Sequence, residues 1–367
     1  MDGCNQSDPR SRSPLAGSRN GLPSTQGSFL AAAARKRRHL ALLAMGCCVL
    51  FVLDVLSGPA WLSLGDVFGA LFAPAGASTS HHFIVWSIRL PTAVMALAVG
   101  ATLGVAGAYM QTILANPLAS PYTLGVSAGA SFGAALAIVF GFGLLPGAGE
   151  YLIPLNAFVF SLLTCMTIVL LARSRRLSVD TLILAGIAML FLFQSLLALL
   201  QYLATEEALQ AIVFWMFGSL YKATWIKTGV VAAILGLCLA ALAADAWRLT
   251  ALKLGDDHAR SLGIDTERLR FKVMLIISVM TATAVSFVGT IGFVGLIAPH
   301  VARTLVGEDQ RYFTAGALLT GMLLLSFASL TSKLILPGAI FPIGIVTSLA
   351  GVPFFLWIIA ARRRRDG

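Results

Sequence analysis

The sequence predicts an all-α, polytopic membrane protein of about ten membrane-spanning helices, on three observations. Hydrophobic residues make up 58% of the 367-residue chain, charged residues 11%, and the mean hydropathy is +0.87. These values exclude a disordered chain and an ordinary water-soluble enzyme. From Leu90 to Gly149, sixty consecutive residues contain no Asp, Glu, Lys or Arg, and the tract is crowded with Gly, Ala, Ser and Pro. Charge is costly at bilayer depth and small residues let helices pack closely, so the tract reads as packed membrane helices. The net charge of +10 gathers in short clusters beside apolar runs, the pattern of cytoplasmic loops and not of a nucleic-acid surface.

The elements follow in order. Residues 1–38, rich in Ser, Gly, Pro and Arg and closing on Arg35-Lys36-Arg37-Arg38, read as a flexible basic cytoplasmic tail. The apolar run Leu40–Leu56 is longer than a signal-peptide core and more spans follow it, so 39–56 is a retained first span. Spans two and three, 90–110 and 122–145, flank Asn116-Pro117-Leu118-Ala119-Ser120-Pro121, where two prolines four apart stop one helix and force a turn. Spans four to six cover 153–172, 181–204 and 226–246, and the longest cytoplasmic loop, about 247–270, follows. Span seven is 271–289. Span eight, 293–303, is short for the bilayer, and Pro299 is expected to break it. Spans nine and ten, 313–332 and 343–361, complete the transmembrane unit 39–361, and 362–367 form a basic tail.

Orientation gives an independent check. Arg35–Arg38 and Arg362–Arg365 should share the cytoplasmic side, which requires an even number of crossings. Ten satisfies this and places Arg89, Lys222, Lys227 and Lys333 outside, where they have a partner to meet.

Chemistry-bearing groups are few. Cys4, Cys47, Cys48, Cys165 and Cys238 have no metal-binding spacing, so no metal is expected and the thiols read as unpaired. No paired carboxylates, HExxH or nucleophile constellation argues for an enzyme. Gln111 and Asn116 flank the proline turn, as pathway-lining groups or as caps on freed backbone. His300 beside Pro299 is either a proton relay or a satisfied structural group. In the long loop, Leu252-Lys-Leu-Gly255-Asp256-Asp-His-Ala259-Arg260-Ser-Leu262-Gly263-Ile264 is short and amphipathic. Ala259, Leu262 and Ile264 are expected to form an apolar patch that docks in a groove on another protein.

These motifs resemble the membrane permease subunit of the iron-siderophore, haem and cobalamin family of ABC importers, the FecCD type. The resemblance covers roughly 85–361. It rests on Arg89-Leu90-Pro91, the NPLAxP turn with Leu124-Gly125 and Gly129-Ala130, Leu184-Ala185-Gly186, and Trp215-Met-Phe-Gly218-Ser219. It continues through the LGxxxARxLG loop, Gly289–Arg303, Pro342-Ile-Gly344 and Gly351-Val-Pro353. It implies the type II importer permease fold in a bacterial inner membrane with both termini cytoplasmic. It further implies a second permease copy, identical or similar, two ATP-binding subunits, a periplasmic or lipid-anchored binding protein, and surrounding lipid. No cofactor is expected on the chain itself. ATP would act through the partner subunits, since the sequence has no GxxxxGK[ST] loop.

By the same resemblance Leu252, Gly255, Asp256, Ala259, Arg260, Leu262 and Gly263 belong to the segment that receives the ATPase movement. Leu177–Asp180, with Val179 and Asp180, form an inner gate, although Asp180 replaces a usual small neutral residue. Arg89 and Lys333 are the implied docking cations, with Thr92 where relatives carry a second Arg. Ser329 and Ile340 stand where many relatives have carboxylates, which would leave the outer vestibule more positive. The rival is an ion-gradient-driven secondary transporter titrating His300, Asp54 or Asp180, and it explains fewer of the motifs.

Overall fold

The computed structural model describes residues 25–60, 62–72, 78–141, 149–173, 178–335 and 341–366. Among the described residues the secondary structure is entirely helical. The first helix, α1, is Thr25–Leu56, α2 is Leu64–Phe72, and α3, Thr79–Phe83, passes through a π turn at Ile84–Arg89 into α4, Leu90–Ile113. Helices α5 Val126–Phe140, α6 Leu152–Arg173, α7 Val179–Leu203, α8 Glu206–Met216 and α9 Trp225–Ala243 follow. Two short helices, α10 Ala246–Leu252 and α11 Asp256–Ser261, lead to α12 Thr266–Val288, α13 Val294–Val306, α14 Gln310–Leu334 and α15 Ile343–Asp366.

Seven of these stretches are long and apolar enough to cross a membrane, and Val126–Phe140, Val294–Val306 and Ile343–Trp357 are shorter apolar helices. Each overlaps one of the ten expected spans. The largest difference is at the N-terminus. The basic residues 35–38, expected in a flexible tail, are helical because α1 begins at Thr25. Ala31–Ala34 and the Arg and Lys beside them are strong helix formers, so the helix runs on beyond its apolar part. Likewise α15 continues through Arg362–Arg365. Helices α2 and α8 carried no length signal in the sequence.

Helix α4 is the centre of the bundle, buried along nearly its whole length. Small residues make this possible. A Cβ at Gly100, Gly104 or Gly107 would overlap the carbonyl of Gly321, Ala317 or Gly295 respectively, so α4 lies backbone to backbone against α14 and α13. In lipid, where apolar exclusion between helices is weak, such close packing is the main source of association.

The eighth span corrects one expectation. Pro299 does not break it, because α13 runs from Val294 to Val306 with Pro299 inside. The proline lacks the N–H that would bond the Gly295 carbonyl four residues back, and that carbonyl lies against Gly107, where no side chain obstructs it. The break sits upstream, at Gly289–Phe293, where Gly289 has φ 77° and Phe293 φ 65°.

Candidate functional site

The bundle has a basic end, where the segment between α9 and α12 and the turn between α13 and α14 lie, and an opposite end, where α1 stops and α15 starts. Candidate functional groups occur at both.

At the basic end, residues 252–264 form a compact knuckle. Gly255, at φ 106°, and Gly263, at φ 78°, turn the chain on either side of α11 in conformations that side-chain-bearing residues avoid. Leu252, Ala259 and Ile264 are buried against Leu249, Leu269 and Val273 in the largest core cluster. The expected apolar patch therefore needs correction. Ala259 and Ile264 face inward, and the exposed apolar side chains are Leu262, 58% exposed, and Leu254, 68% exposed. Asp257 and Arg260 are exposed beside them.

The knuckle is held at two points. Asp256 receives both terminal nitrogens of Arg270, at 2.7 and 2.8 Å, and Arg270 Nε donates to the Ile113 carbonyl at 3.1 Å. Lys253 Nζ donates to the Glu308 carbonyl at 2.7 Å and sits 4.4 Å from the centre of the Phe313 ring. Burial pushes the Lys253 ammonium down to about 8, with Arg303 adding to the shift and Glu308 and Asp309 opposing it. Arg303 in turn pairs with Glu308 at 3.1 Å and donates to Gln111 Oε1 at 3.1 Å.

The gate residues inferred from the sequence separate into different roles. Gln111 is buried on Arg303. Asn116 folds back on its own turn, its Oδ1 accepting from the Leu118 N–H at 2.9 Å, just after Ala115 at φ 45°. Val179 is half-buried and Asp180 exposed in the first turn of α7, behind the Ser178 cap. Leu177 lies outside the described residues. His300 is half-buried with its ring edge-on to Phe354.

At the opposite end, three non-helical stretches meet. The Ser219 N–H donates to the Val288 carbonyl at 2.7 Å, Gly344 N–H to the Phe217 carbonyl at 2.9 Å, and Thr290 Oγ1 to the Met216 carbonyl. Irregular backbone inside a membrane protein is tolerated where it is paired or lines a cavity. Here both hold, because the junction walls a cavity of about 410 Å³ whose polar rim includes Glu150, Ser219, Tyr221, Lys222 and Lys227.

The two cations expected on the outer rim are instead inside it. Arg89 is 4% exposed and donates to the carbonyls of Val55, Leu56 and Ala60 at 3.1, 2.8 and 2.7 Å. The first two are carbonyls left without helical partners as α1 ends, and Ala60 lies in the bend just beyond it. Lys333 is 6% exposed, pairs with Asp54 Oδ1 at 2.9 Å and donates to the Asp54 carbonyl at 2.8 Å. Ser329 Oγ completes the group by donating to Asp54 Oδ2 at 3.2 Å. A carboxylate thus does stand beside position 329, supplied by α1, and it offsets the charge of Lys333. Ile340 lies outside the described residues. The cations left exposed or half-buried at the cavity are Lys222 and Lys227.

Sequence reasoning missed Arg270 as the partner of Asp256. Its signal was only that of the middle residue in the basic run Arg268, Arg270, Lys272, and burial alone singles it out. Among the described residues no group of three or more metal-ligating side chains occurs.

Comparison with known proteins gives a consistent picture. The profile of the FecCD transport family matches residues 46–361. The hemin transport system permease protein HmuU of Yersinia pestis is 36% identical, over 78% of this chain and 87% of its own length. The vitamin B12 import system permease protein BtuC of Serratia proteamaculans is 33% identical, over 89% of this chain and 93% of its own. A solved inward-facing structure of a metal-chelate type ABC transporter superposes with a TM-score of 0.78 at 32% identity, covering 89% of this chain and 99% of that one.

Proposed function

The chain belongs to the FecCD transport family and is a permease subunit of an ABC importer, and from that premise we propose that it carries an iron chelate, haem or cobalamin across the bacterial inner membrane. The observation that carries the reading is the family match from residue 46 to residue 361, which runs from α1 to α15. The names of the relatives, a hemin and a vitamin B12 permease, support the cargo class.

In this reading the basic end faces the cytoplasm, as the concentration of Lys and Arg there favours. Two ATP-binding subunits receive the knuckles of two permease copies, each presenting Leu254 and Leu262 with Asp257 and Arg260 around them. Closure of the ATPase pair pushes the knuckles and tilts the helices, so that the pathway changes the side to which it opens. An external binding protein delivers the cargo at the opposite end, where the cavity at the three helix breaks lies. With Arg89 and Lys333 used inside the chain, Lys222 and Lys227 are the cations that side offers to an acidic partner.

The cargo is tested in cells deleted for their own importers of these nutrients and carrying this permease with its ATPase and binding protein. Accumulation of radiolabelled ferric siderophore, haem or cobalamin is the expected result. Accumulation of none of the three, with uptake of free metal ions instead, contradicts the cargo class.

A further inference from the structure

We propose that Arg270 is the positioning residue that makes the last turn of α4 the receiver of the ATPase movement, a role that rests on the importer reading above. Two routes leave the knuckle, from Asp256 and from Lys253, and they converge on residues two apart in α4. The first is direct. The guanidinium of Arg270, its side chain 7% exposed, uses its two terminal nitrogens on Asp256 in α11 and its third on the Ile113 carbonyl in α4. The second passes from Lys253 to the Glu308 carbonyl, from the Glu308 carboxylate to Arg303, and from Arg303 to Gln111 Oε1.

The chemistry suits a mechanical tie. A planar guanidinium holds a carboxylate with two parallel bonds and still presents Nε to a third acceptor in a fixed direction, which an ammonium on a flexible stem cannot do. The Ile113 carbonyl is free to accept because the helix ends there. At Leu114 and Ala115 the chain leaves helical geometry, Ala115 taking φ 45°. What α4 receives it also carries. Its glycines leave no slack against α14 and α13, and beyond its far end, in the π turn that leads into it, Arg89 grips the end of α1. A push on α11 is thus delivered to one rigid rod that joins the knuckle to the opposite end of the bundle.

The experiment uses the assembled importer, permease with ATPase and binding protein, in proteoliposomes, with ATP hydrolysed and cargo accumulated measured in the same sample. Arg270→Lys keeps the charge but holds either Asp256 or Ile113, and the cargo moved per ATP is expected to fall by about fivefold or more. Asp256→Asn, which weakens the same tie from its half-buried end, should shift the ratio in the same direction. Gln111→Leu combined with Arg270→Lys should lower it further. A merely structural Arg270 would reduce transport and hydrolysis together. An unchanged ratio in both Arg270→Lys and Asp256→Asn overturns the proposal, whatever the absolute rates. Loss of ATP-driven uptake by the unmodified importer would instead count against the importer reading.

Discussion

The pair Asp54 and Lys333 allows a stability prediction worked from geometry. Their side chains are 1% and 2% exposed, at 2.9 Å. At an effective dielectric near 20 the gross attraction at that separation is about 6 kcal/mol, and it is opposed by desolvation of several kcal/mol for each ion. The net worth of the intact pair is therefore small, while the cost of removing one partner is large. Lys333→Met leaves a buried carboxylate with only the Ser329 hydroxyl, and Asp54→Asn leaves a buried ammonium with only neutral carbonyl oxygens and no counter-charge. Each should cost about 3–5 kcal/mol. The double variant should recover most of that, because no uncompensated charge remains. In detergent, loss of monodisperse protein after stepwise heating reports the effect. At roughly 2 °C per kcal/mol, each single change should lower the midpoint by roughly 6–10 °C, and the double by far less. A double variant as unstable as the two single losses added together would refute the reasoning, since it would mean that the charges act independently.

Three further outcomes follow from the same structure. Gly107→Ala pushes a methyl into the Gly295 carbonyl and should cost about 1–3 kcal/mol or more by overpacking, read as a lowered heating midpoint, whereas Gly229→Ala, which meets open space, should not. Lys253, pushed down to about 8 by burial, should be acylated with a pH midpoint near that value, well below the ordinary lysine value of about 10.4. Since its folded pKa lies below its unfolded one, the unfolded chain binds that proton more tightly between those values. Its contribution to stability should therefore rise as pH climbs through the window, and Lys253→Met should flatten the rise. Leu262→Asp, at an exposed site on the knuckle, should change stability by no more than about 0.5 kcal/mol, leaving the heating midpoint essentially unmoved, while reducing co-purification with the ATPase subunit.

Much of the fold was legible because a membrane forbids charge over long stretches. The charge-free run from Leu90 to Gly149 and the apolar windows before and after it located ten segments, each overlapping a helix found, although α1 begins fourteen residues before the expected 39. Helices α2 and α8 were not legible, being too short to span and too mixed to stand out. Pro299 misled because proline usually ends a helix, and only the approach of Gly107 to Gly295 explains why one continues here. At the candidate sites, residue type was legible and direction was not. An amphipathic pattern locates the knuckle but does not say that Ala259 turns inward and Leu254 outward. The cations Arg89 and Lys333 lie together at the end opposite the knuckle, yet their burial depends on carbonyls and a carboxylate from α1, which no local pattern reveals.

The most direct measurement reconstitutes the permease with its ATPase and binding protein in sealed liposomes and follows cargo entry under two driving forces applied separately. ATP supplied on the side of the basic end, without any ion gradient, should drive accumulation, and an imposed proton or sodium gradient without ATP should not. Accumulation that follows the ion gradient and ignores ATP would contradict the account and favour a secondary transporter.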